Sequence, residues 1–227
     1  MIVTVAGGKG GVGKSTIALN LAAHLDGVLV DADIGMADLP TDGGPTLHDV
    51  LAGRVEPEAA VRSGWAVGVL PSGRSLSGAR AVDMDRLDSV LERLGRAYEF
   101  VIVDAPAGFA ADVAIPIAAA DAVVLVTEPE PAALADAVRT NALAGELETG
   151  IGVVVLNRAA EPRPSVTDRL CGPQVTIAES GAVRRAQRAG LPVRYHDAEA
   201  AVLAQFESLA ARIRRLARDR RLAASPA

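Results

Sequence analysis

The apolar positions of this chain fall into short blocks that alternate with longer amphipathic stretches. Ile2-Val3-Thr4-Val5-Ala6 is a strand-length apolar run, and it leads through a glycine-rich turn into a helix predicted over Ser15 to Leu25. Val28-Leu29-Val30-Asp31 reads as a second buried strand, and Ala66 to Leu70 as a third. Asp85 to Gly95 carries Leu87, Val90, Leu91 and Leu94 at helical spacing and delivers the chain to a strand over Phe100 to Asp104. A helix (Asp112 to Ala119), a strand (Ala122 to Thr127), a helix (Ala132 to Leu147) and a strand (Gly152 to Leu156) follow. Such alternation predicts an α/β fold, a doubly wound and mostly parallel sheet flanked by helices. Short helical pieces are expected at Leu47 to Leu51 and Pro57 to Arg62, and a basic helix at Ala182 to Ala189. Glu161 to Pro173 is proline-rich and predicts no element. Leu39 to Pro45 and Pro71 to Gly78 are rich in Pro, Gly or Ser and read as surface loops.

The turn after the first strand carries the chemistry. Gly8, Gly13, Lys14 and Ser15 satisfy G-x-x-x-x-G-K-[ST], with a strand before and a helix after, which is the setting a phosphate-binding loop needs. Backbone N–H groups at the helix start would cradle phosphate, with Gly10, Gly11 and Val12 completing the loop. Lys14 would bridge the β- and γ-phosphates, Ser15 would give its hydroxyl to Mg²⁺, and Thr16 would reach the α-phosphate. A second lysine, Lys9, lies inside the loop. The chain has 23 Lys and Arg in all, of which only Lys9 and Lys14 are lysine, so a compact point charge has been kept at just these two places.

At these residues the chain resembles the MinD/ParA family of deviant-Walker-A ATPases, which position septa, chromosomes and surface machinery. The resemblance implies that Lys9 is the signature lysine that crosses a face-to-face dimer to the partner's ATP. Asp31-Ala32-Asp33-Ile34-Gly35 resembles switch I, implying that Asp33 orients the attacking water and meets Mg²⁺ through water. The role of Asp31 stays open. Phe100-Val101-Ile102-Val103-Asp104 is a Walker-B-type strand whose Asp104 can hold Mg²⁺ through water. The following Ala105-Pro106-Ala107-Gly108 resembles switch II, with a backbone N–H near Gly108 on the γ-phosphate. Asn157-Arg158 stands where the family reads the adenine edge, and an asparagine amide can donate and accept at once. Ala178 replaces the proline usual before Glu179, and Gly190-Leu191-Pro192-Val193 resembles the closing family motif. The cofactors implied are ATP and Mg²⁺. Residues 1–222 are expected to form one P-loop ATPase domain and 223–227 a short disordered tail.

Composition narrows the setting. A chain of 227 residues, half of them apolar, suffices for one sizeable core. Its longest apolar stretch, Val113 to Val126, is broken by Pro116 and Asp121, so no membrane span is expected. No basic segment precedes the first apolar run, so no signal peptide is read. One cysteine, Cys171, allows no intrachain disulfide and fits a cytoplasmic location. It also argues against iron–sulfur chemistry, which needs more thiolates, and the two tyrosines argue against a tyrosine-kinase tail.

Residues 1–180 carry 13 Lys/Arg against 24 Asp/Glu, net −11, while residues 181–227 carry 10 Arg against 4 acids, net +6. The last helix is predicted from about Ala198 to Arg221, with Val202, Phe206, Leu209, Ile213 and Leu216 on one stripe, which suits packing on the sheet. Arg212, Arg214, Arg215, Arg218, Arg220 and Arg221 crowd its end and are usable against anionic lipid or DNA. Arg184, Arg185, Arg188 and Arg194 form a second basic group, read either as a DNA contact or as ion pairs to the acidic body. The function expected is a slow, Mg²⁺-dependent ATPase acting as a dimerisation switch. Its partners would be a second copy of itself when ATP-bound and an unknown activator or cargo. A partition-type ATPase on DNA and a P-loop enzyme acting on a small metabolite stand as alternatives.

Overall fold

In a computed structural model of the protein, residues 1–33, 43–63, 66–73, 83–108, 111–170 and 172–224 are described. Seven strands form one sheet: β1 (Ile2–Ala6), β2 (Val28–Asp31), β3 (Gly68–Leu70), β4 (Val101–Asp104), β5 (Ala122–Thr127), β6 (Ile151–Asn157) and β7 (Gln174–Ile177). Their order is β3-β2-β4-β1-β5-β6-β7, and every neighbouring pair is parallel. The chain winds from β1 towards one edge and then, from β5, towards the other. The strand order therefore reverses at β1, and the carboxyl ends of β1, β2, β4 and β5 open into the crevice where such sheets bind ligands.

The strands are apolar on both faces because helices cover both. Val3 and Val5 of β1, Leu29 of β2 and Ile102 of β4 point into one core with α1 (Lys14–Leu25) and the last helix, α10 (Leu203–Ala224). Val28, Val30, Val101 and Val103 point the other way, towards α2 (Leu47–Leu51) and α4 (Leu87–Ala97). Val123, Leu125, Val154 and Leu156 face a third cluster with α5 (Ala111–Ala118), α6 (Pro131–Glu146) and α7 (Pro164–Leu170). The predicted Leu87, Val90, Leu91 and Leu94 are the buried face of α4, which follows a 3-10 turn at Met84–Arg86. The short α3 (Pro57–Ala60) stops two residues before its predicted end, where Arg62 instead pairs with Val69 in an antiparallel bridge.

Two elements lie in the stretch that predicted none or beside it. Pro164 opens α7, where the missing N–H costs nothing in the first turn. β7 is a four-residue edge strand of half-buried alternation, too short to stand out as a pattern. The helices α8 (Gly181–Arg188) and α9 (Val193–His196) then return the chain to α10.

Helix α10 begins at Leu203, later than predicted, because residues 198–202 form turns, yet Val202 is buried there all the same. Phe206, Leu209 and Ile213 are completely buried and Leu216 partly so, as the apolar stripe required. Much of its basic end is occupied. Arg220 donates to the carboxylate of Asp121 at 2.6 Å and to its carbonyl at 3.0 Å, and Arg221 donates to Glu99 at 2.8 Å. Asp121 also accepts the N–H of Ile2 at 2.8 Å, so one carboxylate ties the last helix to the first strand. The helix continues to Ala224, two residues into the expected tail. Residues 225–227 lie outside the described residues, as do Cys171, residues 34–42 after Asp33, and residues 74–82.

Candidate functional site

The glycine-rich loop joins β1 to α1 at the carboxyl edge of the sheet. Helix α1 starts at Lys14, and the N–H of Ile17 already donates to Gly13 O at 2.9 Å. Gly13 has φ +96°, a conformation that side-chain-bearing residues rarely adopt. Before it, Gly7 passes so close to β5 that a Cβ there would stand 2.5 Å from the carbonyl oxygen of Val126. Both glycines hold the loop low over the sheet, with its N–H groups and the helix start open to an anion.

A cleft of about 570 Å³ lies against this loop. Gly10, Gly11, Gly13, Lys14, Ser15 and Thr16 line it on one side, Asp33, Ala105 and Ala107 on another, and Arg158 with Gln187 to Leu191 on a third. Lys14 is buried and lines the cleft. Gly8 and the buried Val12 belong to the loop without lining the cleft. Gly108, at φ +107°, ends the described part of the switch-II-like segment, and it is Ala105 and Ala107 that reach the cleft. Arg158, itself at φ +54°, forms an ion pair with the nearly buried carboxylate of Glu128.

Lys9 does not line the cleft. Its ammonium lies 3.6 Å from the carboxylate of Glu130, with the Lys9 side chain half-exposed and that of Glu130 mostly so. Asn157 is also outside this cleft and lines a smaller neighbouring one of about 350 Å³ with Gly13, Thr16, Arg158, Ala178 and Glu179. Its amide donates to Val12 O at 2.8 Å.

Asp31 and Asp104 end adjacent parallel strands in the same register, and it is their neighbours Asp33 and Ala105 that line the cleft. Asp31 and Asp104 are both buried. Burial first, and the Asp104 charge second, push the Asp31 carboxyl up to about 8, against weaker opposition from the N–H of Asp33. Oδ1 of Asp31 accepts that N–H at 3.1 Å, whereas Oδ2 is buried with no hydrogen-bond partner among the described residues. The buried orphan oxygen of Asp31 stands beside a second carboxylate, Asp104, while the cleft is lined by Ser15 and Asp33, and hard oxygen donors of these kinds suit Mg²⁺. The residues present therefore fit that ion, with Ser15, Asp33 and Asp104 as its predicted holders. Among the described residues no three His, Cys, Asp or Glu side chains gather as a ready-made metal cage.

Several wall residues were not read from the sequence as part of the nucleotide cleft, Arg188 among them, which was read as a DNA contact or an ion-pair partner. Gln187, Arg188 and Ala189 form the far wall, and Asn20 secures it by accepting the N–H of Val193 at 2.8 Å while donating to Thr16 O. Glu128 and Glu130 follow β5 at the carboxyl edge. That position alone was a signal, since ligand sites of parallel sheets gather there. Three of the basic group on α8 and α9 have partners: Arg184 pairs with Glu179, Arg185 with Asp197 at 3.2 Å, and Arg194 donates to Ala23 O at 2.7 Å, while Arg188 lines the cleft.

Comparisons with known proteins agree with this geometry. Residues 3–164 match the CobQ/CobB/MinD/ParA nucleotide binding domain. An uncharacterized ATP-binding protein of Methanocaldococcus jannaschii is 37% identical over 169 residues, 70% of this chain and 64% of the relative. The septum site-determining protein MinD of Synechocystis is 32% identical over 171 residues, 69% of this chain and 64% of the relative. The chain thus spans a little under two thirds of these relatives. Among solved structures, the cell division ATPase MinD of Pyrococcus furiosus superposes with a TM-score of 0.87 at 30% identity, covering 95% of this chain and 98% of that one. MinD of Pyrococcus horikoshii, solved with Mg-ADP, gives a TM-score of 0.87 at 28% identity over 95% and 96% of the two chains. No described helix is long and apolar enough to cross a membrane. With the phosphate loop, the strand order and the matched sequence in agreement, the chain belongs to the CobQ/CobB/MinD/ParA nucleotide-binding family.

Proposed function

We propose that this protein is a Mg·ATP-dependent dimerisation switch of the MinD/ParA type, with slow ATPase activity, that positions division or other cellular machinery. The observation that carries the reading is the split between its two lysines. Lys14 is buried and lines the cleft, while Lys9, five residues earlier on the same loop, does not line it and keeps 43% of its side chain exposed. A lysine held out of its own cleft is available to a second subunit's phosphates, which is the role the signature lysine has in the family.

The residues divide the work as follows. The loop N–H groups and Lys14 bind and orient the β- and γ-phosphates. Asp33, on the cleft wall, orients the attacking water in line with the γ-phosphoryl group. Ser15, Asp33 and Asp104 would hold Mg²⁺, which when bound neutralises charge on the phosphate oxygens. Lys9 of the partner subunit adds positive charge where negative charge develops. Arg158 and the wall from Gln187 to Leu191 enclose the nucleoside. Closure of two subunits would create the surface that recruits an activator or cargo, and hydrolysis would release it. The setting proposed is the cytoplasm, with membrane or DNA contact left to the partners of the dimer.

The test is the mass in solution, by light scattering after size exclusion, with Mg·ATP against Mg·ADP. Wild type is expected to dimerise with ATP alone, Asp33→Ala to hold the dimer longest, and Lys9→Ala to stay monomeric. A monomer in every condition despite tight ATP binding would overturn the switch and favour an enzyme acting on a small metabolite.

A further inference from the structure

A loop that turns its N–H groups inward on a phosphate must turn carbonyl groups outward, and those need partners of their own. Val12 is the residue just before Gly13 and Lys14, at the tightest part of the loop. Its carbonyl accepts the Asn157 side-chain amide at 2.8 Å in a buried hydrogen bond that links positions 145 residues apart. Asn157 is the last residue of β6 and is paired in register with Ile177 of β7, so the donor stands on rigid sheet. The fit on the loop side is equally close. A Cβ on Gly13 would lie 2.4 Å from Nδ2 of Asn157, so with the amide in place position 13 has room for glycine alone.

We infer that Asn157 is a positioning residue for the phosphate-binding loop, acting through the Val12 carbonyl. This deepens the proposed function and rests on its reading of the loop as a phosphate cradle. The orientation of the amide follows from its partner. A carbonyl only accepts, so Nδ2 faces Val12 and Oδ1 is left to face elsewhere as an acceptor. Whatever Asn157 offers a base is then confined to Oδ1, whereas its grip on the loop acts on any polyphosphate, with or without a nucleoside. The strut lies beside the segment Gly13 to Ser15, where a shift of a few tenths of an ångström moves the N–H groups that meet phosphate.

The consequence is measurable with ligands that lack a base. Calorimetric titration of ADP, GDP and inorganic tripolyphosphate, each with Mg²⁺, is compared for wild type, Asn157→Ala and the isosteric Asn157→Asp, which sets an oxygen against the Val12 carbonyl. Both variants are expected to lose affinity for ADP and for tripolyphosphate by the same factor, about tenfold, as for one buried hydrogen bond, with the ADP-to-GDP ratio unchanged. A purely structural role would lower the melting temperature without moving the affinity of the folded protein. Loss of ADP affinity with full retention of tripolyphosphate affinity would overturn the strut in favour of a base contact alone, as would no loss at all. Failure of wild type to bind any of the three would instead overturn the nucleotide-binding reading on which the inference stands. If neither variant folds, the scalar coupling across the hydrogen bond from Asn157 Nδ2 to the Val12 carbonyl carbon is read in labelled wild type by NMR. Its presence supports the strut and its absence, free and ADP-bound, rejects it.

Discussion

Asp31 and Asp104 stand side by side at the carboxyl ends of β2 and β4, in register and both buried, so two carboxylates share one low-dielectric site. The folded protein therefore holds a proton on Asp31 up to about pH 8, far above the ordinary 3.8 of an aspartate. A raised folded pKa means that stability is full below the unfolded pKa and is lost as pH rises through the folded one. The contribution of Asp31 to stability is thus expected to fall steadily between about pH 4 and pH 8. In divalent-free buffer, Asp31→Asn should melt higher than wild type at pH 8 and level with it near pH 4. Thermal denaturation across that range checks it, and an unchanged difference would show that the pair is not the cause.

Lys9 and Lys14 differ in surroundings, and their variants should differ in kind. The Lys9–Glu130 pair is 43% and 64% exposed, so solvent screens it and Lys9→Ala should change stability by less than about 1 kcal/mol. Nucleotide binding by the Lys9→Ala monomer should survive. Lys14→Ala should abolish it, because the lysine removed is buried and lines the cleft. ADP titration beside a denaturant melt separates the two.

Gly7→Ala should damage the fold as well as the loop. The new Cβ would meet the Val126 carbonyl at 2.5 Å, and backbone of a central strand cannot step aside. A loss of about 1–3 kcal/mol is expected, measured by urea unfolding and accompanied by weaker nucleotide binding, since β1 carries the loop.

Asp121 and Arg220 form an unequal pair. Arg220→Ala removes an exposed ion-pair partner and should cost less than about 1 kcal/mol. Asp121→Ala also leaves the part-buried N–H of Ile2 without its acceptor and should cost about 1–3 kcal/mol. Equal losses in urea unfolding would contradict the staple described for β1 and α10.

Most strands were legible because a strand buried on both faces is a run of apolar residues ended by turn chemistry. Val28–Asp31 and Ala122–Thr127 fall where predicted. β7 and α7 were not legible. An edge strand of four half-buried residues and a helix opened by a proline leave no pattern that rises above a polar connection. The phosphate loop was readable for a different reason. Its glycines, Lys14 and Ser15 are contiguous in the chain, so the motif carries its own geometry.

What the sequence determined alone is therefore local: the periodicity that makes a doubly wound sheet, the loop Gly8 to Thr16, and the carboxylates at strand ends. Tertiary structure decided which distant groups meet. Only the sheet order sets Asp31 beside Asp104, and only the end of β6 brings the Asn157 amide under Val12. Net charge along the chain left Arg220 and Arg221 free for lipid or DNA, whereas the fold turns them onto Asp121 and Glu99. The physical reason is common to all three. Backbone conformation responds to neighbours in sequence, but hydrogen bonds and charge pairs act over a few ångströms of space, and which residues come that close is settled only when the strands have found their order.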